Sequence, residues 1–221
     1  GTLAPLPAKH VDTGMGFERI CSVLQDVESN YDTDLFTPIF ETIRDLTGSR
    51  PYGRSLDDPS DIAYRVIADH LRCLVFAITD GALPSNEGRG YVLRRILRRA
   101  GRHGWQTLEL TEPFLYRLIP AVVDTMSDIF PELNKNPDSV MQVIQDEEQS
   151  FDKTLDRGIA MFNQAATRGC EISGDDAFKL HDTFGFPVDL TQVMAHERGM
   201  PVDVDGFNLL MEKARDLARG R

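Results

Sequence analysis

Asp61-Ile-Ala-Tyr-Arg-Val-Ile-Ala-Asp-His-Leu-Arg-Cys-Leu-Val-Phe-Ala-Ile-Thr79 is the stretch from which the rest of the 221-residue chain is read. Ile62, Val66, Ile67, Leu71, Leu74, Val75 and Ile78 recur at three- and four-residue steps, which predicts a helix with one buried stripe. Gly81, just beyond it, can supply a left-handed C-terminal cap. The same periodicity extends in both directions. Upstream, Phe17, Ile20, Cys21 and Leu24 share a helical face after a short extended stretch from His10 to Gly16. Leu35 to Leu46 forms another helix, with Pro38 in its first turn and Gly48 after its end. Downstream, helices are expected at Glu112 to Asp128, Asp138 to Thr167, Asp175 to Leu180, Asp189 to Arg198 and Phe207 to Arg219. The long one carries Val140, Val143, Ile144, Phe151, Leu155, Ile159 and Phe162, and Gly169 follows it. The expected fold is therefore mainly α with a small β remnant at the start. Soft boundaries are placed in the turn-rich loop Gly48 to Ser60 and near Arg168 to Asp175.

The composition is that of a globular chain, 41% hydrophobic and 27% charged. The longest uninterrupted apolar run, Cys73 to Ile78, is far too short to cross a bilayer. No signal-peptide pattern opens the chain, and Gly1 in place of Met reads as an internal cut or a processed start. Cys21, Cys73 and Cys170 lack CxxC spacing and read as reduced thiols behaving as small core hydrophobes in a cytoplasmic protein. His10, His70, His103, His181 and His196 are scattered, none at i, i+4 with another His or Cys, so no metal site is expected.

Charge is segregated. The chain carries −11, yet Arg89 to His103 holds six arginines and no acid, a strip of +6 that leaves −17 for the remainder. A cationic strip on an acidic body suggests a focused anion site rather than indiscriminate nucleic-acid binding. In this segment Leu93, Ile96, Leu97 and Ala100 form the apolar face of a helix beginning near Tyr91. Arg94, Arg98 and Arg102 stack in one i, i+4, i+8 row beside Arg95 and Arg99. Each like-charge pair costs roughly a few tenths of a kcal/mol, so the arrangement needs a reason. One is a phosphate rail, since guanidinium groups fork onto phosphate oxygens. The other is pairing with acids such as those between Asp146 and Asp156.

Asp12-Thr-Gly-Met-Gly-Phe-Glu-Arg19 is the most specific short string. Gly14 and Gly16 let flat or anionic ligand groups approach the backbone where it enters a helix. Arg19 lies in that helix's partly positive first turn. A nucleotide fits these parts, with its base over the glycines and a phosphate on the arginine. A tight strand-helix turn with Arg19 in a salt bridge fits as well. No GKS or GKT follows, which excludes a P-loop.

Gly14-Met-Gly-Phe-Glu-Arg19 resembles the third signature motif of class II aminoacyl-tRNA synthetases. Val11 to Arg19, Asn30-Tyr-Asp-Thr-Asp-Leu-Phe36, Tyr64 to His70, Asp80-Gly81, Asn86 to Ile96 and Asp182-Thr-Phe-Gly-Phe-Pro-Val-Asp-Leu190 narrow the resemblance to the alanyl-tRNA synthetase family, over essentially the whole chain. The resemblance implies that residues 1–50 are the end of the class II α+β catalytic domain. Residues 51–221 would then be a mainly helical domain that recognises the tRNA acceptor stem. It also implies ATP and Mg²⁺ as cofactors of the complete enzyme, with none bound tightly to this fragment, and alanine and tRNA(Ala) as its partners. Gly14 and Gly16 would pass close to adenosine. Arg19 would act catalytically, contacting ATP phosphates and stabilising the departing pyrophosphate. Glu18 could be structural or could assist. Asn86 and Asp182 would read a G–U pair in the minor groove by accepting guanine's exocyclic amine. Arg89, Arg94, Arg95, Arg98, Arg99 and Arg102 would hold stem phosphates, positioning without specifying. The first two class II motifs, an editing domain and an oligomerising region are not among these residues, so the chain is expected not to activate alanine by itself. The rival reading is a non-catalytic helical module with protein partners. A split enzyme whose catalytic half is another chain is a third.

Overall fold

The computed structural model describes residues 14–218, and the elements named here are those of the described residues. Nine helices follow one another: α1 (Phe17–Leu24), α2 (Thr37–Thr47), α3 (Pro59–Thr79), α4 (Gly88–Thr107), α5 (Leu115–Met126), α6 (Pro137–Arg168), α7 (Gly174–Phe184), α8 (Val188–His196) and α9 (Val204–Ala218). Short 3-10 turns lie at Asn30–Asp32 and Pro131–Asn134. A single isolated parallel bridge joins Ile172 to Val202. The fold is mainly α, as the periodicity predicts. Of the extended stretch expected from His10 to Gly16, residues 10–13 lie outside the described residues, and Gly14–Gly16 have no regular structure.

α3 is the hub, packing against α2, α4, α5 and α6. Its stripe is wider than a single face. Ile67, Leu71, Leu74, Val75 and Ile78 are buried as expected, but Ile62 and Val66 are only half-buried, while Ala63, Tyr64 and Ala68 are fully enclosed. Small residues there let neighbouring helices approach on two sides. Gly81 adopts φ +90°, with Gly81 N–H donating to the Ile78 carbonyl and Ala82 N–H to that of Ala77. This is the expected left-handed cap in its two-bond form.

The Gly48–Ser60 loop is no loose linker. Asp61 is wholly buried and accepts from Gly53 N–H at 2.8 Å and Ser55 N–H at 2.7 Å, while Arg50 lies 3.1 Å from it. Asp58 caps α3 by accepting from Ser60 and Asp61 N–H. Tyr64 donates to the Arg50 carbonyl. A buried carboxylate with backbone donors on both oxygens is a strong local tie.

Two apolar cores result. The first runs from Leu35 to Ile144 and passes the residue-50 boundary, joining α2 to α3 and α5. The second runs from Phe151 to Phe207 and gathers the end of α6 with α7, α8 and α9. α6 is continuous through both. Gly169 ends it in an extended conformation. α7 runs four residues past its expected end, to Phe184, and α4 begins at Gly88, ahead of Tyr91.

The expectation that the cysteines are core residues is overturned for Cys73 and Cys170, while Cys21 packs against the first core. Cys73 and Cys170 are exposed and Cys21 is half-buried. Cys73 lies on the outer stripe of α3, four residues after the exposed Asp69, where the apolar face has already turned inward.

Candidate nucleic-acid interface

α4 begins at a glycine-rich turn whose geometry leaves little freedom. A β-carbon at Gly90 would overlap the Leu83 carbonyl oxygen and the Ser85 hydroxyl, so only glycine lets the 83–85 segment lie against the helix. Ser85 Oγ donates to the Glu87 carbonyl at 2.8 Å. This presents Asn86 at the surface. Leu93, Leu97 and Ala100 bury the inner side of α4, and Ile96 is half-buried.

The six arginines of α4 separate into two groups. Arg94 lies 2.8 Å from Glu147 through Nε, and its Nη2 donates to Glu147 Oε2 at 2.9 Å. Arg98 donates to Glu147 Oε1 from Nε at 3.3 Å and from Nη2 at 3.0 Å, and also to the Gly185 carbonyl. Arg102, only 3% exposed, forks onto Glu197 at 3.0 and 2.8 Å. The Arg102 guanidinium holds the Glu197 carboxyl below the usual carboxylate range. Arg95 lies 2.9 Å from Asp189 and 5.8 Å from the Tyr91 ring. Among the described residues Arg89 and Arg99 have no ion pair; Arg89 is exposed and Arg99 half-buried. Of the acids between Asp146 and Asp156, Glu147 is the one that pairs with α4. Asp189 and Glu197, on and just after α8, are the partners that sequence reading did not name.

The paired arginines bridge the two apolar cores. α4 packs in the first, whereas Gly185, Asp189 and Glu197 belong to segments of the second. These charged contacts, together with Trp105 of α4 packed against the second core, join α4 to the later helices, and that explains a stacked arginine row without invoking any ligand.

Asn86 lines a groove of about 850 Å³ together with Tyr91, His181, Val188, Phe207, Asn208, Met211 and Arg215. Arg94 donates to Asn86 Oδ1. Asp182 follows His181 in the last turn of α7, exposed and one turn before the left-handed Gly185. His181 stacks edge-on against Phe207 at 5.5 Å, and burial lowers its pKa, which keeps the ring neutral at pH 7. The structure thus brings Asn86 to the same groove as the neighbour of Asp182. His181 and the whole α9 wall escaped sequence reading. The only signal available was the adjacency of His181 to Asp182.

A second concavity, about 420 Å³, is lined by Gly14, Met15, Gly16, Glu18, Arg19, Asn30, Tyr31, Phe36 and Asp69. Gly16 adopts φ +87°, a conformation glycine reaches without strain, and the space beside Gly14 is open. Arg19 is exposed and has no ion pair among the described residues. Glu18 instead receives a 2.9 Å hydrogen bond from Arg72, whose guanidinium lies 4.7 Å from the Phe36 ring. Glu18 therefore pins α1 to α3. Met15, Phe17, Ile20, Val23 and Leu24 remain exposed. An open glycine ridge ending at a guanidinium with no ion pair among the described residues fits a nucleotide. No group of three or more His, Cys, Asp or Glu placed to hold a metal ion occurs among the described residues. No described helix is long and apolar enough to cross a membrane.

Residues 1–221 match the family described as tRNA synthetases class II (A), and the chain belongs to that family. More narrowly, it is similar to alanine–tRNA ligases. It is 58% identical over 224 residues to that of Chlorobium phaeobacteroides, covering 99% of this chain and 25% of the relative. Identity is 56% to that of Chlorobaculum tepidum, with the same coverage. The mitochondrial alanine–tRNA ligase of Saccharomyces cerevisiae is 49% identical over 229 residues, covering 99% of this chain and 23% of the relative. The chain spans about a quarter of the length of the curated relatives it matches.

Proposed function

We propose that the chain is a part of an alanine–tRNA ligase, an ATP- and Mg²⁺-dependent cytoplasmic enzyme, and that it contributes acceptor-stem recognition and one edge of the nucleotide site. The observation that carries this reading is the groove at the start of α4. It combines an exposed amide acceptor at Asn86 with a neutral imidazole at His181, next to which the exposed carboxylate of Asp182 follows in sequence, and a cationic helix lies alongside. Asn86 and Asp182 read the guanine amine of a G–U pair in tRNA(Ala). Arg89 and Arg99, the α4 cations without an ion pair among the described residues, hold phosphates, while Arg94, Arg95, Arg98 and Arg102 chiefly support the wall that presents the readers. At the other end Gly14 and Gly16 lie along adenosine, and Arg19 meets the ATP phosphates. In this reading residues 1–50 supply the nucleotide end and residues 51–221 the stem-binding end, packed through one shared core. Alanine activation needs the remainder of the enzyme, so the chain alone is inactive.

The test is binding of the chain to acceptor-stem hairpins carrying G–U or G–C. Asn86→Ala and Asp182→Ala reduce the G–U preference. Arg89→Ala and Arg99→Ala weaken both stems alike and flatten the salt dependence by about one unit each. Equal losses from all four substitutions contradict that division of labour. Salt-insensitive capture of a protein with no RNA binding favours the rival module, for which the exposed apolar face of α1 is the relevant surface.

A further inference from the structure

The Asn86 turn and the Gly185 turn approach the groove from different cores and share no backbone hydrogen bond. Glu147 links them through two arginines, beside the Arg95–Asp189 pair that also ties α4 to the segment after Gly185. Glu147, on α6 and 8% exposed, engages Arg94 with both carboxylate oxygens and Arg98 with one. Arg94 continues to Asn86 Oδ1, and Arg98 continues to the Gly185 carbonyl. The connection is also packed. The Arg98 guanidinium lies 5.1 Å from the Phe151 ring, which meets Phe186 of the same turn at 5.6 Å. Phe186 in turn closes against Gly158 so tightly that a β-carbon there would overlap its ring. The chain of contacts thus runs from Asn86 through Arg94, Glu147 and Arg98 to Gly185, three residues beyond Asp182.

We propose that Glu147 is a positioning residue for stem recognition: by engaging Arg94 and Arg98 together it fixes the Asn86 turn relative to the Gly185 turn, and it withholds two cations from phosphate. The proposal rests on the acceptor-stem reading above, and it has a consequence that simple destabilisation lacks. A carboxylate shared by two guanidiniums lets a groove discriminate by geometry while keeping its nonspecific attraction low. Removing the carboxylate frees both arginines. The groove then loses discrimination and gains indiscriminate affinity.

The experiment compares the 221-residue chain with Glu147→Gln and with Glu147→Asp, which keeps the charge but draws it back by one methylene from the two arginines. Two readouts are taken. Binding to G–U and G–C hairpins over a salt series is expected to show the G–U preference of Glu147→Gln falling to within about threefold. Its G–C affinity is unchanged or tighter, and its salt slope is steeper by about one to two units, from the freed cations. Glu147→Asp falls between. Hydrogen exchange is expected to quicken about tenfold or more at the Tyr91, Gly185 and Phe186 amides, each hydrogen-bonded in the structure, while α3 and α5 hold. Parallel weakening of both stems, or exchange that rises uniformly or not at all, overturns the proposal. If the unsubstituted chain shows no G–U preference, the acceptor-stem reading fails. The exchange pattern then decides whether Glu147 still fixes the two turns.

Discussion

Arg19 and Arg98 both come from segments whose composition points to an anion, and the structure treats them differently. Arg19 stands exposed at the start of α1, beside an open glycine ridge and without an ion pair among the described residues. Arg98 is drawn inward between Glu147 and the Gly185 carbonyl, over the Phe151 ring. Among the described residues the isolated arginine is the available one, whereas most of the dense arginine helix is occupied internally. Local charge density measures how much cation a segment carries. Availability depends on acids that lie far away in sequence, here 49 residues away for Arg98 and 95 for Arg102.

Substitutions that separate the occupied from the available arginines test this contrast. The largest effect is expected at Arg98. Replacing it with Ala leaves the Gly185 carbonyl without its donor and uncovers Phe151, a loss on the order of 3 kcal/mol in denaturant unfolding. A loss within about 0.5 kcal/mol would mean that the internal pairing carries little.

Next comes His103, beside Arg102, whose pKa is lowered to about 4 chiefly by burial. Its folded pKa lies below the unfolded value, so the stability it contributes is full above pH 6.5 and is lost as pH falls through 4, up to about 3 kcal/mol in all. Glu148 is raised to about 7 by burial, despite three backbone N–H donors at the start of α5, and it titrates in the opposite sense. The checkable quantity is therefore the difference between the chain and His103→Gln, which should shrink steadily from pH 6.5 to pH 4. A difference independent of pH would place His103 in contact with water.

Arg102→Ala should cost less than Arg98→Ala, about 1–2 kcal/mol, because its partner Glu197 is half-exposed and can rehydrate. The smallest effect is expected at Arg19, where replacement by Ala changes stability by no more than about 0.5 kcal/mol. A loss as large as that at Arg98 would erase the distinction between the two segments.

Helix content was legible from periodicity because amphipathic stripes are local. Ile67, Leu71 and Phe162 are buried where spacing alone put them, and the Gly81 cap followed from one glycine. What was not legible is what long-range packing decides. The widening of the α3 stripe to Ala63, Tyr64 and Ala68 depends on helices that arrive later in the chain. The Asp61 tie across the 50–55 loop and the Glu148 cap on α5 join residues whose complementarity shows only once the chain is folded. The site followed the same rule. Asn86 and Asp182 were named through family resemblance, and the structure brings Asn86 to a groove with the neighbour of Asp182. The α9 wall carries no motif and came into view only with the fold.

The salt dependence of binding to the G–U acceptor-stem hairpin tests the central claim most directly. Each phosphate neutralised contributes about −0.9 to the slope of log K against log salt on duplex DNA. If Arg94, Arg95, Arg98 and Arg102 are occupied internally and only Arg89 and Arg99 meet phosphate, the slope is about −2, and the G–U stem is preferred by roughly 5- to 150-fold. A slope of about −5 with no preference between G–U and G–C would mean that all six arginines face the RNA, contradicting the account.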